Sequence, residues 1–527
     1  MTINVRIRHG EYYDSVTLLE IAQKVLHLPG VIDAALVMGT PANRGILANA
    51  GLFDTACEAA TADDLVLVVK AGDSTQGEAA LDAAEAALVT SRAPKGGGDA
   101  STSKVHTIAS AAQQLEAANL TLISVAGHYA AQVAHDALEH DTHVFLFSDN
   151  VSVEDEIRLK SIGRDKGLLV MGPDAGTAII NGVALGFANA ILHTPPVKGG
   201  VGIVAASGTG LQAVTCELTR RGVGVTQAIG TGGRDLSDEV GGIMMIESLR
   251  ALQIDPATRT ILLVSKPPAQ AVAEAVLEQA LASHKPAVIC FLGAKKKSIV
   301  TPGVIAASNL EAAAAIAAEV ALGGDPKVAK KALKKRDKQL KSDAYKLRAQ
   351  LGKEQRFLRG LFSGGTFCYE TQIILPKILP DVAILSNAPI DQANRLDNSA
   401  VSQGHSVIDL GEDEFTQGRL HPMLDPTLRN RRIVEEARDP ETAVILFDIV
   451  LGFGVHPDPA GAAVEAIREA QSHLAKKGRT VLFVAHVCGT EGDPQNLRAQ
   501  EARLRDAGVI VLPTNAAASR LAGFILA

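Results

Sequence analysis

Three glycine-containing turns stand where a strand hands over to a helix: Ser207-Gly208-Thr209-Gly210, Ser363-Gly364-Gly365-Thr366 and Leu451-Gly452-Phe453-Gly454. At such a turn the first backbone N–H groups of the helix have no internal partner, and the helix macrodipole adds partial positive charge. Small residues let an anion come close, and Ser and Thr hydroxyls add donors. Ser207, Gly208, Thr209, Gly210, Ser363, Gly364, Gly452 and Gly454 are therefore candidate ligands for a phosphate, phosphoryl or carboxylate group. The alternative is that each glycine only closes a tight strand-to-helix loop, since such loops are commonly short. Recurrence of the turn at equivalent places in a repeat weighs against that alternative.

Two further segments carry reactive side chains. Gly230–Ser237 (GTGGRDLS) sets Arg234 and Asp235 in a flexible loop, where an Arg suits bidentate binding of carboxylate or phosphate. The same pair could instead pair with each other or cap a helix. Arg419–Asn430 (RLHPMLDPTLRN) puts Arg, His and Asp in a Pro-broken stretch that reads as a loop, and loops on rigid scaffolds carry function disproportionately. Arg234 and His421 are the catalytic candidates, His421 as an acid–base group or as a structural histidine. Met171–Gly182 (MGPDAGTAIING) ends a strand at Gly-Pro. With Asp235, its Gly172 and Asp174 are the candidates for facing a substrate. No metal site is expected: the five cysteines, at 57, 216, 290, 368 and 488, form no CxxC pair. No GxxxxGK[ST] or strand-following GxGxxG motif occurs, which argues against a self-contained NTPase or dinucleotide enzyme.

The elements that must position these residues read as an α/β chain. Residues 1–92 form a small α/β domain, with strands at Val5–Arg8, Ala34–Met38 and Leu65–Lys70 and an amphipathic helix at Ser15–Leu26. A polar, turn-rich linker covers 93–117. In 118–197, continuous apolar strands (LTLISVAG, HVFLFS, LLVMGP) alternate with helices, the pattern of a parallel, doubly wound sheet. Residues 198–322 and 357–527 repeat one order of motifs. GIVAASGTG is echoed by RGLFSGGTF, IGTGGRDLSDEVGG by IDLGEDEFTQGRLHP, DPATRTILLVSKPP by DPETAVILFDIVLG, and KPAVICFLG by GRTVLFVAHVCG. They read as tandem flavodoxin-like units, which place ligands beyond their strand ends. The lysine-rich stretch 323–356 reads as a solvated connecting helix, with a nucleic-acid arm as the alternative.

A net charge of −7 gives no bulk attraction to nucleic acid. The absence of an apolar leader or of 18 uninterrupted apolar residues points to a protein that is neither secreted nor membrane-spanning, and the scattered cysteines suit a reducing cytoplasm.

These motifs resemble the succinyl-CoA synthetase superfamily. Residues 118–322 are similar to its α subunit, a Rossmann-like CoA-binding-type domain followed by a ligase domain, and 357–527 to the C-terminal ligase domain of its β subunit. The resemblance implies that Ser207, Gly208, Thr209, Gly452 and Gly454 face one anion. Two departures change what it implies. The α subunit carries a phosphorylated His after the strand equivalent to Ala287–Gly293, yet Phe291–Ala307 (FLGAKKKSIVTPGVIAA) holds none. The β subunit has an ATP-grasp domain for which 323–356 leaves no room. A closer resemblance is to the FdrA family, through MGTPANRG, SDNVSVEDEI, GLLVMGPD, GGRDLS, SKPPA, GRLHPMLDPTLRN and GTEGDPQ. That family implies either an acyl-CoA synthetase, with coenzyme A as ligand, or a subunit of a carbamoyltransferase. The latter works with companion proteins and takes oxalurate plus phosphate to oxamate plus carbamoyl phosphate. A non-catalytic anion-binding subunit is the third reading.

Overall fold

The computed structural model describes every residue except 1, 12, 14, 62, 93–104, 106, 116, 126, 194–199, 295–302 and 418. Most of the expected linker, and the segment where the α-subunit family places its His, fall outside the described residues. The chain divides into two units, Met1–Lys104 with Asp413–His421, and Val105–Glu412 with Pro422–Ala527.

In the first unit, β1 (Thr2–Arg8), α1 (Ser15–Leu26), β2 (Val31–Met38), α2 (Pro41–Asn49), β3 (Leu65–Ala71) and α3 (Ser74–Arg92) follow in chain order. The sheet is antiparallel with β3 in the centre, Val68 opposite both Val5 and Ala35. Side chains alternate across a strand. Leu65, Leu67 and Val69 therefore pack under α1 and α3, while Val66 and Val68 face Leu47, Leu52 and Cys57.

The second unit opens with α4 (Ile108–Gln114), β4 (Leu120–Ile123), α5 (Gly127–Glu139), β5 (His143–Leu146), α6 (Val153–Lys166) and β6 (Val170–Met171). β4, β5 and β6 form a parallel three-stranded sheet. The hairpin of β7 (Thr177–Ile180) and β8 (Val183–Gly186) then leaves that domain. It pairs antiparallel with the next sheet, Ile179 opposite Ala228.

That sheet is built from β9 (Val201–Ala205), α7 (Gly208–Arg220), β10 (Val225–Gly230), α8 (Ile243–Ile254), β11 (Thr260–Ser265), α9 (Gln270–Leu281), β12 (Ala287–Phe291) and β13 (Val304–Ala306). Its order is β13-β12-β11-β9-β10-β7-β8. α10 (Leu310–Ala321) and α11 (Pro326–Arg348) lead to the second repeat. The lysine-rich stretch is thus a helix as read, but one seated by a buried stripe of Ala329, Leu340 and Ala344.

The second repeat, interrupted by α13 (Asp413–Thr416) of the first unit, runs β14 (Phe357–Phe362), α12 (Gly365–Ile374), β15 (Ile384–Ser386), β16 (His405–Asp409), α14 (Thr427–Arg438), β17 (Thr442–Val450), α15 (Pro459–Lys476), β18 (Leu482–Cys488), α16 (Leu497–Asp506), β19 (Ile510–Leu512) and α17 (Asn515–Leu526). Its sheet order is β15-β16-β14-β17-β18-β19. Numbered from the first strand of each repeat, and setting aside the edge additions, both sheets have the flavodoxin-like order 2-1-3-4-5. The chain is α/β with parallel sheets, and the tandem repeat read from the motifs is present.

Side chains of α7, α10, α12 and α17 share one core: Leu211, Val214, Ala313, Ile316, Phe367, Ala517 and Leu521. Alanine-rich α10 lets these layers approach closely. All five cysteines are free and buried.

Candidate functional site

β9 and β14 are the first strands of their repeats, so the turns after them lie at the carboxyl-end switch points where ligands of such sheets bind. Ser207 caps α7, its Oγ accepting the Gly210 N–H at 3.0 Å. The same Oγ lies 2.5 Å from the Thr366 hydroxyl, and the Thr366 N–H donates to Thr209 Oγ1 at 3.3 Å. The starts of α7 and α12, one from each repeat, therefore meet through hydroxyls. Gly208, Thr209 and Gly365 sit in first turns, whose N–H groups lack an intrahelical partner. Two helix N-termini on one spot favour an anion more than either alone.

The turn of the second repeat is partly filled from within. The Ser363 and Gly364 N–H groups donate to the Asp448 carboxylate at 2.7 and 2.8 Å, and Arg429 donates to Ser363 Oγ at 3.1 Å. Burial raises the Asp448 carboxyl while the Arg429 guanidinium opposes the shift. Gly365 is left facing a different carboxylate. A Cβ at Gly365 would overlap Asp409 Oδ2. Asp409 ends β16, is 5% exposed and accepts the Gly411 N–H on Oδ1 at 2.9 Å. Burial first, and the nearby Glu412 next, push it up to about 7, against the pull of Lys266. Lys266, exposed at the end of β11, holds its Nζ 5.2 Å from the Tyr369 ring centre.

Gly365, Tyr369, Gln372, Ile373 and Pro376 follow at helical spacing along one face of α12 and its continuation. The last four line a cavity of about 610 Å³, closed on the other side by Phe291, Gly293 and Ala306–Ser308 at the strand ends of the first repeat.

The remaining candidates are placed as follows. Leu451–Gly454 is not a helix start, because α15 begins at Pro459 and is capped by Asp458, which accepts the Gly461 N–H at 3.1 Å. Instead the Phe453 N–H donates to Ala188 O at 2.8 Å. Gly452, at φ +129°, sits where a Cβ would overlap Ala188 O. Gly454 faces Phe187. Arg234 is half exposed, ion-paired to Glu156 at 2.9 Å and bonded to Val151 O at 2.8 Å. Asp235 is buried, accepting from Lys160 at 2.8 Å and from the Met244 and Met245 N–H groups that open α8. Each side chain is thus paired with a residue of α6, and only Asp235 also caps a helix. Gly172 and Pro173 lie against Gly232, and the exposed Asp174 donates its N–H to Ser148 O at 3.0 Å. His421 belongs to the first unit, where burial lowers it to about 4 and keeps it neutral at pH 7.

Three residues of this region carry no spacing signal in the sequence, Asp409, Asp448 and Lys266, while Arg429 falls in the Arg419–Asn430 stretch read as a loop but stands on α14. Two of them are single acids on apolar strands (SVIDL and LFDIV), and an acid there stands out only once the strand is known to be buried on both faces.

A CoA-ligase family profile matches residues 361–525, a CoA binding domain profile 198–293, and the profile "AllF, heavy metal-associated domain" 1–105. The first unit does not fit a soft metal: its one cysteine, Cys57, is fully buried among Leu47, Leu52 and Val66. The chain is 27% identical over 149 residues to the succinate–CoA ligase [ADP-forming] subunit alpha of Methanothermobacter thermautotrophicus, covering 28% of this chain and 48% of that subunit. Among solved structures, the apo form of Ca. Korarchaeum cryptofilum dinucleotide forming acetyl-coenzyme A synthetase 1 is similar over 77% of this chain and 82% of that one, at 14% identity and a TM-score of 0.31. Among the described residues no helix is long and apolar enough to cross a membrane. Over 97% of its length the chain is 44% identical to the uncharacterized protein YahF of Escherichia coli (strain K12), of which it covers 96%. The chain belongs to the YahF family, on a CoA-ligase-like scaffold of the succinyl-CoA synthetase superfamily.

Proposed function

We propose that the chain is a subunit of a carbamoyltransferase complex that interconverts oxalurate plus phosphate with oxamate plus carbamoyl phosphate, the activity the FdrA resemblance implies. The observation that carries the reading is the joined start of α7 and α12, with Ser207 Oγ 2.5 Å from the Thr366 hydroxyl. Inorganic phosphate binds there on the Gly208, Thr209 and Gly365 N–H groups. Phosphorolysis needs phosphate beside an acyl carbon and no phosphorylated side chain, in keeping with the missing His between Phe291 and Ala307. Oriented N–H groups also stabilise the tetrahedral oxyanion, which is often the main source of rate enhancement in acyl transfer. Arg234 is engaged by Glu156, so the substrate carboxylate falls to the exposed Lys266.

A second reading, an acyl-CoA ligase, is favoured by the cavity of about 610 Å³ along α12, which lies within the range that holds a drug-sized ligand and exceeds what oxalurate requires. One assay separates the two: oxamate plus carbamoyl phosphate, with this chain alone and with its companion proteins. Oxalurate formed with the companions supports the transferase. CoA thioester formed with ATP, and no oxalurate, returns the chain to the ligase reading. Ser207→Ala with Thr209→Val should abolish phosphate-dependent turnover in a folded protein, and unchanged turnover would sink the site assignment.

A further inference from the structure

Asp409 is the titratable group the anion site does not yet explain. It ends an apolar strand, it is 5% exposed, and Oδ2 lies against the first residue of α12. Oδ1 accepts the Gly411 N–H at 2.9 Å, and Oδ2 is the atom turned toward Gly365. The backbone of Asp409 is held separately: its N–H donates to Asn387 Oδ1 at 2.8 Å and its carbonyl accepts from Asn387 Nδ2 at 2.9 Å. The carboxyl group is thus positioned without being neutralised. The groups facing it are Glu412 just beyond β16, Lys266 at the end of β11, Asp448 on β17 and Cys368 on α12. Two acids against one exposed lysine favour a neutral carboxyl.

We propose that Asp409 is the proton donor of this site: neutral, it admits the anion beside Gly365, and it then protonates the leaving nitrogen. The role rests on the carbamoyl-transfer reading. A phosphate oxygen bonds to the carbamoyl carbon of oxalurate, and the bond from that carbon to the oxamate nitrogen breaks. The Asp409 proton passes to that nitrogen, giving oxamate. The hydrogen of the attacking hydrogenphosphate returns to Asp409, leaving carbamoyl phosphate as the dianion. Atoms and charge balance with no further reactant. A carboxyl held near pH 7 suits the task, since a general acid works best with its midpoint near the working pH.

Sulfate tests the proton linkage without any turnover, because it stays a dianion across the range and its pH dependence belongs to the protein. Titrating the full chain calorimetrically from pH 5.5 to 8.5 should show affinity falling about tenfold per pH unit above the midpoint. Asp409→Asn should remove that fall. Glu412→Gln should move the midpoint to lower pH, which keeps the test alive if the Asn variant folds poorly. Wild-type affinity that is flat with pH, or an unchanged profile in both variants, overturns the proposal. In the transfer assay with companions, Asp409→Asn should lower kcat about 10²- to 10⁴-fold with KM nearly constant and erase the limb of the pH profile near 7. Retained kcat also overturns it. Proton-linked sulfate binding with no transfer in any combination counts against the carbamoyl reading instead, and with it the donor role.

Discussion

Lys160→Met probes the charge cluster that ties the α6 domain to the first flavodoxin-like unit. Lys160 has no exposed side-chain surface. Its Nζ donates to Glu156 Oε1 at 2.7 Å, Asp235 Oδ1 at 2.8 Å and Thr231 O at 2.9 Å. Asp235 also accepts two N–H groups of α8, and Glu156 also pairs with Arg234. Removing the ammonium leaves two buried carboxylates with one cationic partner between them. Breaking a buried pair costs about 3–5 kcal/mol, against about 0–1 kcal/mol for an exposed one. Unfolding entropy near 2.1 cal/mol/K per residue, over a unit of roughly 400 residues, converts that cost to a Tm lower by about 3–6 °C. Calorimetry measures the shift, and hydrogen exchange should show α6 and the Thr231–Asp235 loop losing protection together. Adding Glu156→Gln should recover part of the loss, because it removes one stranded charge. A Lys160→Met protein melting within a degree of its parent would refute the claim that these charges depend on one another.

Two further substitutions test packing and titration. Gly232→Ala should destabilise by more than about 1 kcal/mol in thermal melts, because φ is +87° and a Cβ would overlap Pro173 O, prising Gly172–Asp174 from the loop. His486 is buried against the Phe367 ring at 4.5 Å, and burial lowers it to about 3. The unfolded chain takes up that proton first, so the stability His486 contributes above pH 6.5 is lost as pH falls toward 3. His486→Leu should remove up to about 2.7 kcal/mol of the loss between pH 6.5 and 4.5, read from urea midpoints at the two pH values. Equal acid sensitivity in both proteins would count against the assignment.

The parallel architecture was legible because strands buried on both faces read as unbroken apolar runs. Val201–Ala205, Thr260–Ser265 and Ala287–Phe291 are buried throughout. The repeat was legible because the same motifs return in the same order. The destination of β7–β8 was not, since four-residue strands carry no mark of which sheet they will join, and Ile179 finds Ala228 across nearly fifty residues of chain. Of the three glycine turns, the first two share a helix start that follows within a residue. Leu451–Gly454 looks alike in sequence, but His456-Pro457-Asp458-Pro459 delays its helix. Arg234 and Asp235 show the limit of composition. An Arg–Asp pair in a glycine loop suits a ligand and a buried ion cluster equally, and only Lys160 and Glu156, more than 70 residues earlier, decide between them.

The two repeats have diverged where they look most alike. Both carry a Ser-Gly turn after their first strand. The first engages only its Gly210 N–H, with Ser207 Oγ, while the second donates two of its own to the Asp448 carboxylate and sets Arg429 on the Asp448 carbonyl, its Nε and Nη2 without a hydrogen-bond partner among the described residues. An internal anion in the second turn makes one external site of what the repeat would otherwise offer as two. Asp448→Ala should expose that logic. It strands the Ser363 and Gly364 N–H donors, at a cost of about 1–3 kcal/mol each, and removes the acid that favours the buried Arg429 charge. The space vacated is the size of a carboxylate, so formate should restore Tm in a saturable way, by RT ln(1 + [L]/Kd), while leaving the parent unchanged. If formate raises the Tm of both proteins equally, or of neither, the carboxylate of Asp448 is not standing in for a ligand, and the asymmetry between the turns must have another cause.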